Sequence, residues 1–378
     1  MEPADAVLRF LESVGSRRES DFYLALFRAG APERFAAISV DANVARHAME
    51  AVALELRFLS ALGLYPVVCL GIFESTEAME QATRLGRRLD KEGVRAVLLA
   101  SEEPDMMTRA AEATRAQTIP IIVFPVAAEA RFERLAELIA SLVTRKLIFL
   151  HRPGGLRDKG ELLPLVNLTT DVAALVASKE LSRKERTLVD ESRRLVERTP
   201  HRLSVAITSP LNLFRELFTI KGAGTLLRRG ATIERRRFAD LDRERLRALL
   251  THSFGRPPVD DFFGRDIAWG YVEEGYRGAA LVHETPLGAY LTKFAVDAEA
   301  QGEGIGRDLW QALAGDYARI FWRARPTNAI GAWYVKLCDG LMRFPEWHVY
   351  WKGLPPSDVA PAVEWALAQP VDLPLVSP

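Results

Sequence analysis

Tryptophan is missing from the first 268 residues of this 378-residue chain. All seven (Trp269, Trp310, Trp322, Trp333, Trp347, Trp351 and Trp365) fall in the last third. That break, with a length of roughly two domains at about 100–200 residues each, predicts two domains. Cysteine is scarce: Cys69 and Cys338 stand far apart, which excludes a disulfide framework and a Cys-x-x-Cys zinc knuckle. The six histidines are scattered, with no His-Glu-x-x-His, so no metal is expected. No apolar run reaches the ~18 residues of a membrane span, and Met1–Arg18 lacks the apolar core of a signal peptide. A cytoplasmic protein with no membrane partner is the expectation. An excess of one charge is lacking too, with 50 Lys+Arg against 50 Asp+Glu. Binding of nucleic acid through bulk charge is excluded, and a local cationic pocket is not.

What is present is an alternation of short apolar runs and helical patterns. Phe35–Val40, Tyr65–Leu70, Val94–Ala100, Ile119–Val126 and Lys146–Leu150 read as strands. Ala45–Leu62, Glu77–Glu92, Pro104–Arg115 and Glu129–Thr144 read as helices between them. Strands apolar on both faces predict a mostly parallel sheet covered by helices on both sides, an α/β fold. Two further helices (171–179, 182–198) and two strands (203–208, 225–228) close this part. The basic stretch Gly230–Arg237 has no strong periodicity and predicts the linker, giving domains 1–232 and 233–378. In the second part, Asp240 is the expected N-cap of a helix through Ser253. Gly278–His283, Tyr290–Val296 and Ala318–Arg325 read as strands and Gly304–Tyr317 as a helix.

The stretch Tyr290–Lys336 holds the chemistry. A strand runs into Gln301-Gly302-Glu303-Gly304-Ile305-Gly306-Arg307 and then into an amphipathic helix. Glycines at such a turn let backbone N–H groups approach a phosphate, and the helix N-terminus adds partial positive charge. A glycine-rich turn without a ligand satisfies the same pattern. On the strand Ala318–Arg325, period-two alternation puts Arg323 and Arg325 on one face and Trp322 and Ala324 on the other. Lys293 lies on the neighbouring predicted strand. Guanidinium forks suit carboxylates.

Gln-x-x-Gly-x-Gly after a strand resembles the acetyl-CoA pyrophosphate loop of GNAT-fold N-acetyltransferases. With Tyr290-Leu291-Thr292-Lys293-Phe294, Phe321-Trp322-Arg323-Ala324-Arg325, Asn328 and Trp333-Tyr334-x-Lys336, it resembles one subfamily. That subfamily is the acetyltransferase domain of vertebrate-type N-acetylglutamate synthases and bacterial bifunctional synthase-kinases. Ser253-Phe254-Gly255 and Tyr276-Arg277 extend the match. The first part is similar to the family's amino-acid-kinase-like domain, an αβα sandwich. The resemblance is carried by Leu64–Val68, Lys146–Leu156, Leu163–Leu168 and the motif Glu216–Leu226.

The resemblance implies acetyl transfer from acetyl-CoA to the amine of glutamate. Tyr334 matches the catalytic tyrosine, a proton donor to the leaving thiolate. Lys293 and Arg323 match glutamate contacts, Arg325 extends the cationic face, and Arg256 stands where the family has a lysine. Phe294, Ala295 and Val296 would pair with the pantetheine arm. Gln301, Gly302, Gly304, Ile305 and Gly306 would hold the pyrophosphate, and Asn328 would lie near the thioester. Glu216, Gly222, Gly224 and Thr225 resemble part of an arginine effector site, with Phe22-Tyr23 as its other wall. Relatives form homo-oligomers through the kinase-like domain.

The departures matter as much. Where the family's kinases carry Lys-x-Gly-Gly and His-Gly-Gly-Gly, this chain has Ser39-Val40-Asp41-Ala42 and Leu70-Gly71-Ile72-Phe73. A phosphate cradle is lost, so no kinase activity is expected. Thr292 replaces a family aspartate, and Asn328-Ala329-Ile330-Gly331-Ala332 lacks the family's loop prolines, which loosens a loop beside the acceptor. An acetyltransferase for another amine, or a non-enzymatic subunit binding arginine or a partner, therefore stays open.

Overall fold

The computed structural model describes residues 17–219, 222–297, 300, 304–328 and 330–373. The chain divides into two compact units, Met1–Arg229 and Gly230–Pro378.

In the first unit the apolar runs become β1 (Ala37–Val40), β2 (Val67–Leu70), β3 (Ala96–Ala100), β4 (Ile119–Val123) and β5 (Lys146–Leu150). A two-stranded hairpin, β6 (Arg157–Asp158) with β7 (Glu161–Leu162), stands apart. β8 (Leu165–Asn167), β9 (Ser204–Thr208) and β10 (Thr225–Arg228) complete the sheet in the order β3-β4-β2-β1-β5-β9-β10-β8. Every neighbouring pair is parallel except β9 with β10. Alternate residues feed opposite cores: Ile38, Val40, Ile148 and Leu150 face one, and Ala37, Leu147 and Phe149 the other. Helices Met49–Ala61 and Ala78–Lys91 cover the first core, and helices Ala128–Leu142 and Arg183–Arg198 the second. This is a three-layer αβα sandwich. The helical run predicted as Ala45–Leu62 is two helices, Ala42–His47 and Met49–Ala61, because Ala48 (φ −138°) leaves the helical region between them.

The second unit departs from expectation at its start. Ile233–Arg237 is strand β11, paired antiparallel with β12 (Trp269–Glu273). Its apolar period is masked because Arg235 and Arg237 lay their guanidinium groups about 4 Å over the Trp269 ring. The helix cap is also corrected. Asp240 ends a 3-10 turn, and Asp242 accepts from the N–H groups of Glu244 and Arg245 to start helix Arg243–Phe254. β13 (Gly278–Thr285), β14 (Gly288–Val296), β15 (Ile320–Ala324), β16 (Gly340–Arg343) and β17 (His348–Lys352) give a seven-stranded sheet, β11-β12-β13-β14-β15-β17-β16. Only β14 with β15 is parallel.

One face of this sheet carries helix Ile305–Asp316 over Tyr271, Leu291, Phe294 and Trp322. The other carries helix Arg243–Phe254 over Leu281 and Ala295, and helix Pro356–Ala368 over Tyr290 and Phe321.

Candidate active site

The site grows from an irregularity in β14. Leu281 pairs with Lys293 but Val282 pairs with Leu291, so Thr292 is an extra residue in a β-bulge. Beyond the bulge β14 leaves β15. The parallel ladder covers only Ala289–Leu291 against Ile320–Trp322, although β14 runs on to Val296 and β15 to Ala324. Residues Phe294, Ala295 and Val296 therefore have a ladder on the β13 side alone. A gap in the middle of a sheet offers backbone groups to a ligand that can pair with them.

Next to the gap, Gly304 (φ 80°) caps helix Ile305–Asp316. A glycine serves there because L side chains rarely adopt that conformation. The helix lies close because Gly278 has no side chain. A Cβ on it would come within 2.6 Å of Ile305 and 2.9 Å of Leu309. Gly306 in turn faces Phe294 and Val296. Gln301 and Gly302, the expected start of the pyrophosphate loop, lie outside the described residues.

Tyr334, on helix Gly331–Leu337, is buried within an aromatic cluster. Its ring is 5.4 Å from Trp322, 5.4 Å from Tyr350 and 6.4 Å from Phe294. Burial pushes its phenol pKa up, so at neutral pH it holds its proton. Asn328 accepts from the Ile330 N–H through its side chain (3.2 Å) and from the Gly331 N–H through its carbonyl (2.9 Å), which turns the chain into this helix.

The opposite face holds the cations. Lys293 is 8% exposed and stands over the Phe262 ring. Burial draws its pKa down, and the carboxylate of Asp372, with which it is ion-paired, opposes that shift. Arg323 shares the face but spends its donors on backbone. It bonds the carbonyls of Ala366 (2.9 Å), Leu367 (3.1 Å) and Pro370 (2.7 Å). Arg323 and Arg325 both lie about 4 Å over Trp347, as the alternation predicts, and Arg325 pairs with Glu346 (3.2 Å). Arg256 follows Gly255, the left-handed C-cap of helix Arg243–Phe254, and is half-buried.

Two residues at this face were not legible in sequence. Arg265 and Asp372 join Lys293 in one ion-paired group, although 107 positions separate them. Neither belongs to a motif. Asp372 reaches the site only because helix Pro356–Ala368, for which the sequence supplies no expectation, carries the chain back across the sheet.

In the first unit, Glu216 is buried. It accepts from the Ala223 N–H (2.9 Å) and pairs with Lys146 (3.3 Å). Gly222 (φ 62°) turns beneath it, and Gly224 lies so near the Ile207 carbonyl that no Cβ fits. Thr225 accepts from the Leu156 N–H (2.8 Å). The motif's Ile220 and Lys221 lie outside the described residues, as does the side chain of Phe22. The carboxyl ends of β1 and β5, where α/β sheets hold phosphates, are filled. Asp41 is paired with Lys184, whose ammonium lies 4.9 Å over Phe73. Phe73 packs against Phe132 and Phe149. Among the described residues, no group of three or more His, Cys, Asp or Glu is arranged to hold a metal.

Residues 233–365 match the family model of the N-acetyltransferase of N-acetylglutamate synthase. The acetylglutamate kinase of Xanthomonas campestris is 31% identical over 90% of this chain and 95% of its own length. The chain belongs to the N-acetylglutamate synthase and acetylglutamate kinase family. The human mitochondrial N-acetylglutamate synthase is 39% identical over 59% of this chain and 43% of its own. A solved N-acetylglutamate synthase from Neisseria gonorrhoeae, complexed with coenzyme A and L-arginine, shares the fold. It has a TM-score of 0.55 and 15% identity, over 89% of this chain and 98% of that one. Within this N-acetylglutamate synthase family, the second unit is the N-acetyltransferase, and the first is the kinase-like part.

Proposed function

We propose that this chain transfers acetyl from acetyl-CoA to the amine of L-glutamate, and that its first unit transfers no phosphate. One observation carries the reading. β14 and β15 part beyond Leu291 and Trp322, with Tyr334 on one side of the gap and the Lys293 and Arg323 cations on the other. The pantetheine arm enters the gap and pairs with the open side of Phe294–Val296. The pyrophosphate rests at the N-terminus of helix Ile305–Asp316, beside Gly304 and Gly306. Glutamate approaches from the cationic side. Its neutral amine attacks the thioester carbonyl, and strand N–H groups stabilise the oxyanion. As the C–S bond breaks, Tyr334 donates its proton to the departing thiolate, and the proton that the acylated nitrogen loses restores the phenol. Neither cysteine is required.

The first unit supports the negative half of the reading. A carboxylate, Asp41, closes the end of β1 where phosphates would need cations and free backbone donors. Arginine as an effector belongs to the same reading, with Glu216 as the anion facing its guanidinium in competition with Lys146.

The test is CoA release with acetyl-CoA and a panel of amino acids. Glutamate is expected to give the highest kcat/KM, and N-acetylglutamate with ATP is expected to yield no ADP. A better acceptor in the panel would move the reading to another amine. Absence of acetyl-CoA binding would move it to a non-enzymatic subunit.

A further inference from the structure

The cationic side of the gap is already occupied. Helix Pro356–Ala368 is anchored on the sheet by Trp365, whose ring is 4.7 Å from Tyr290 and 5.7 Å from Phe321. Arg323 binds the carbonyls at the end of the helix and that of Pro370. The chain then folds back. The Asp372 carbonyl accepts from the Val259 N–H at 3.0 Å. Its carboxylate is ion-paired with Lys293 through one oxygen and with Arg265 through the other. It also accepts from the Thr292 hydroxyl at 3.2 Å. All three ion-paired side chains are at most 15% exposed. An ammonium, a guanidinium and a hydroxyl thus converge on a single carboxylate, the arrangement a carboxylate receptor needs.

We infer that Arg265, with Lys293 and Thr292, forms the carboxylate-binding subsite for the acceptor, and that Asp372 fills it in the ligand-free chain. The acceptor enters by displacing the segment around Asp372. This rests on the proposed acetyl transfer to an amino acid that carries carboxylates. The aspartyl carboxylate is the same chemical group as the acceptor's, held on the same donors. Without it Lys293 would be a buried, uncompensated charge, whereas Arg265 would keep its ion pair with Asp261 (3.1 Å), so the segment stabilises the empty site chiefly through the lysine. A site open only part of the time weakens apparent affinity by that fraction. Asp372 therefore sets the glutamate concentration at which the enzyme turns on.

The experiment compares glutamate KM in the CoA-release assay for the 378-residue chain and its Asp372→Asn and Arg265→Gln variants. Hydrogen exchange at residues 369–373 is followed as glutamate is added. Asp372→Asn is expected to lower glutamate KM about tenfold, and Arg265→Gln to raise it about tenfold. Acetyl-CoA KM should stay put in both, and exchange at 369–373 should speed up on saturation with glutamate. If the wild-type protein turns over glutamate but Asp372→Asn loses kcat/KM, Asp372 is a positioning residue for Lys293 and the inference falls. An unchanged KM in both variants, or exchange at 369–373 that glutamate slows or leaves alone, also overturns it. If no variant uses glutamate although acetyl-CoA binds, the acceptor reading itself fails.

Discussion

The rings of Tyr334 and Trp322 meet edge to face, 5.4 Å apart at 64°. Tyr334 is held by packing on several sides, so its ring can keep its place when its hydroxyl is removed. Tyr334→Phe is expected to lower kcat by about 100-fold, the low end for a lost proton donor. Acetyl-CoA affinity and Tm should change little. A variant that binds acetyl-CoA normally and keeps its full turnover would deny the hydroxyl its role.

Gly278 sets how closely helix Ile305–Asp316 approaches β13. Alanine there meets Ile305 and Leu309 well inside van der Waals contact. Those two side chains, or the helix that carries them, must shift, at about 1–3 kcal/mol for overpacking. We expect Gly278→Ala to lower Tm and to weaken CoA binding about tenfold in calorimetry, because a displaced N-terminus would no longer meet the pyrophosphate where it is proposed to rest. Destabilisation with unchanged CoA affinity would separate the helix from the ligand.

Arg323 donates two hydrogen bonds to the end of helix Pro356–Ala368 and a third to Pro370 just beyond it. Charged hydrogen bonds contribute about 1.5–3 kcal/mol. Arg323→Ala should therefore speed amide exchange across residues 364–370 by about tenfold or more. Arg323→Lys, which lacks the fork, should recover only part of the protection. Exchange equal to wild type in Arg323→Ala would show that Trp365 packing alone holds the helix.

Glu55 is buried on helix Met49–Ala61. Burial pushes its pKa up to about 8, against a hydrogen bond from the Phe214 N–H that acts the other way. The unfolded chain ionises this group near 4.5, while the folded chain keeps the proton. Each pH unit in between favours the unfolded state by about 1.4 kcal/mol. The first unit should lose stability as pH rises from about 5 to 8 and level off above. Glu55→Gln should flatten that slope and raise stability at pH 8 by on the order of 2–4 kcal/mol. Urea denaturation across this range is the measurement, and an unaltered slope in the variant would count against a protonated Glu55.

Much of the scaffold is written in local pattern. β1 to β5 are short runs apolar on both faces, and the helices between them carry one apolar stripe, so the parallel sheet is readable from periodicity. β11 is not, because its arginines are stacked on Trp269 and read as linker charge. The site divides in the same way. Lys293, Arg323 and Tyr334 sit inside motifs or on alternating strands. Arg265 and Asp372 acquire meaning only through a contact spanning more than a hundred residues. No local pattern encodes that contact, since it is made by the route of the chain after β17.

The bulge at Thr292 bears on how this sequence can vary. Leu291 and Phe294 face the aromatic core, and Lys293 faces away from it, the same sides they would take in a regular strand lacking residue 292. Removing that one residue would leave every neighbour pointing where it does now. β14 would then be free to keep its ladder with β15, closing the gap proposed to admit the pantetheine arm. The side chain at 292 bears on the cationic face, where its hydroxyl reaches Asp372. The presence of a residue there bears on the sheet itself, so chain length at this single point decides whether the two strands stay apart.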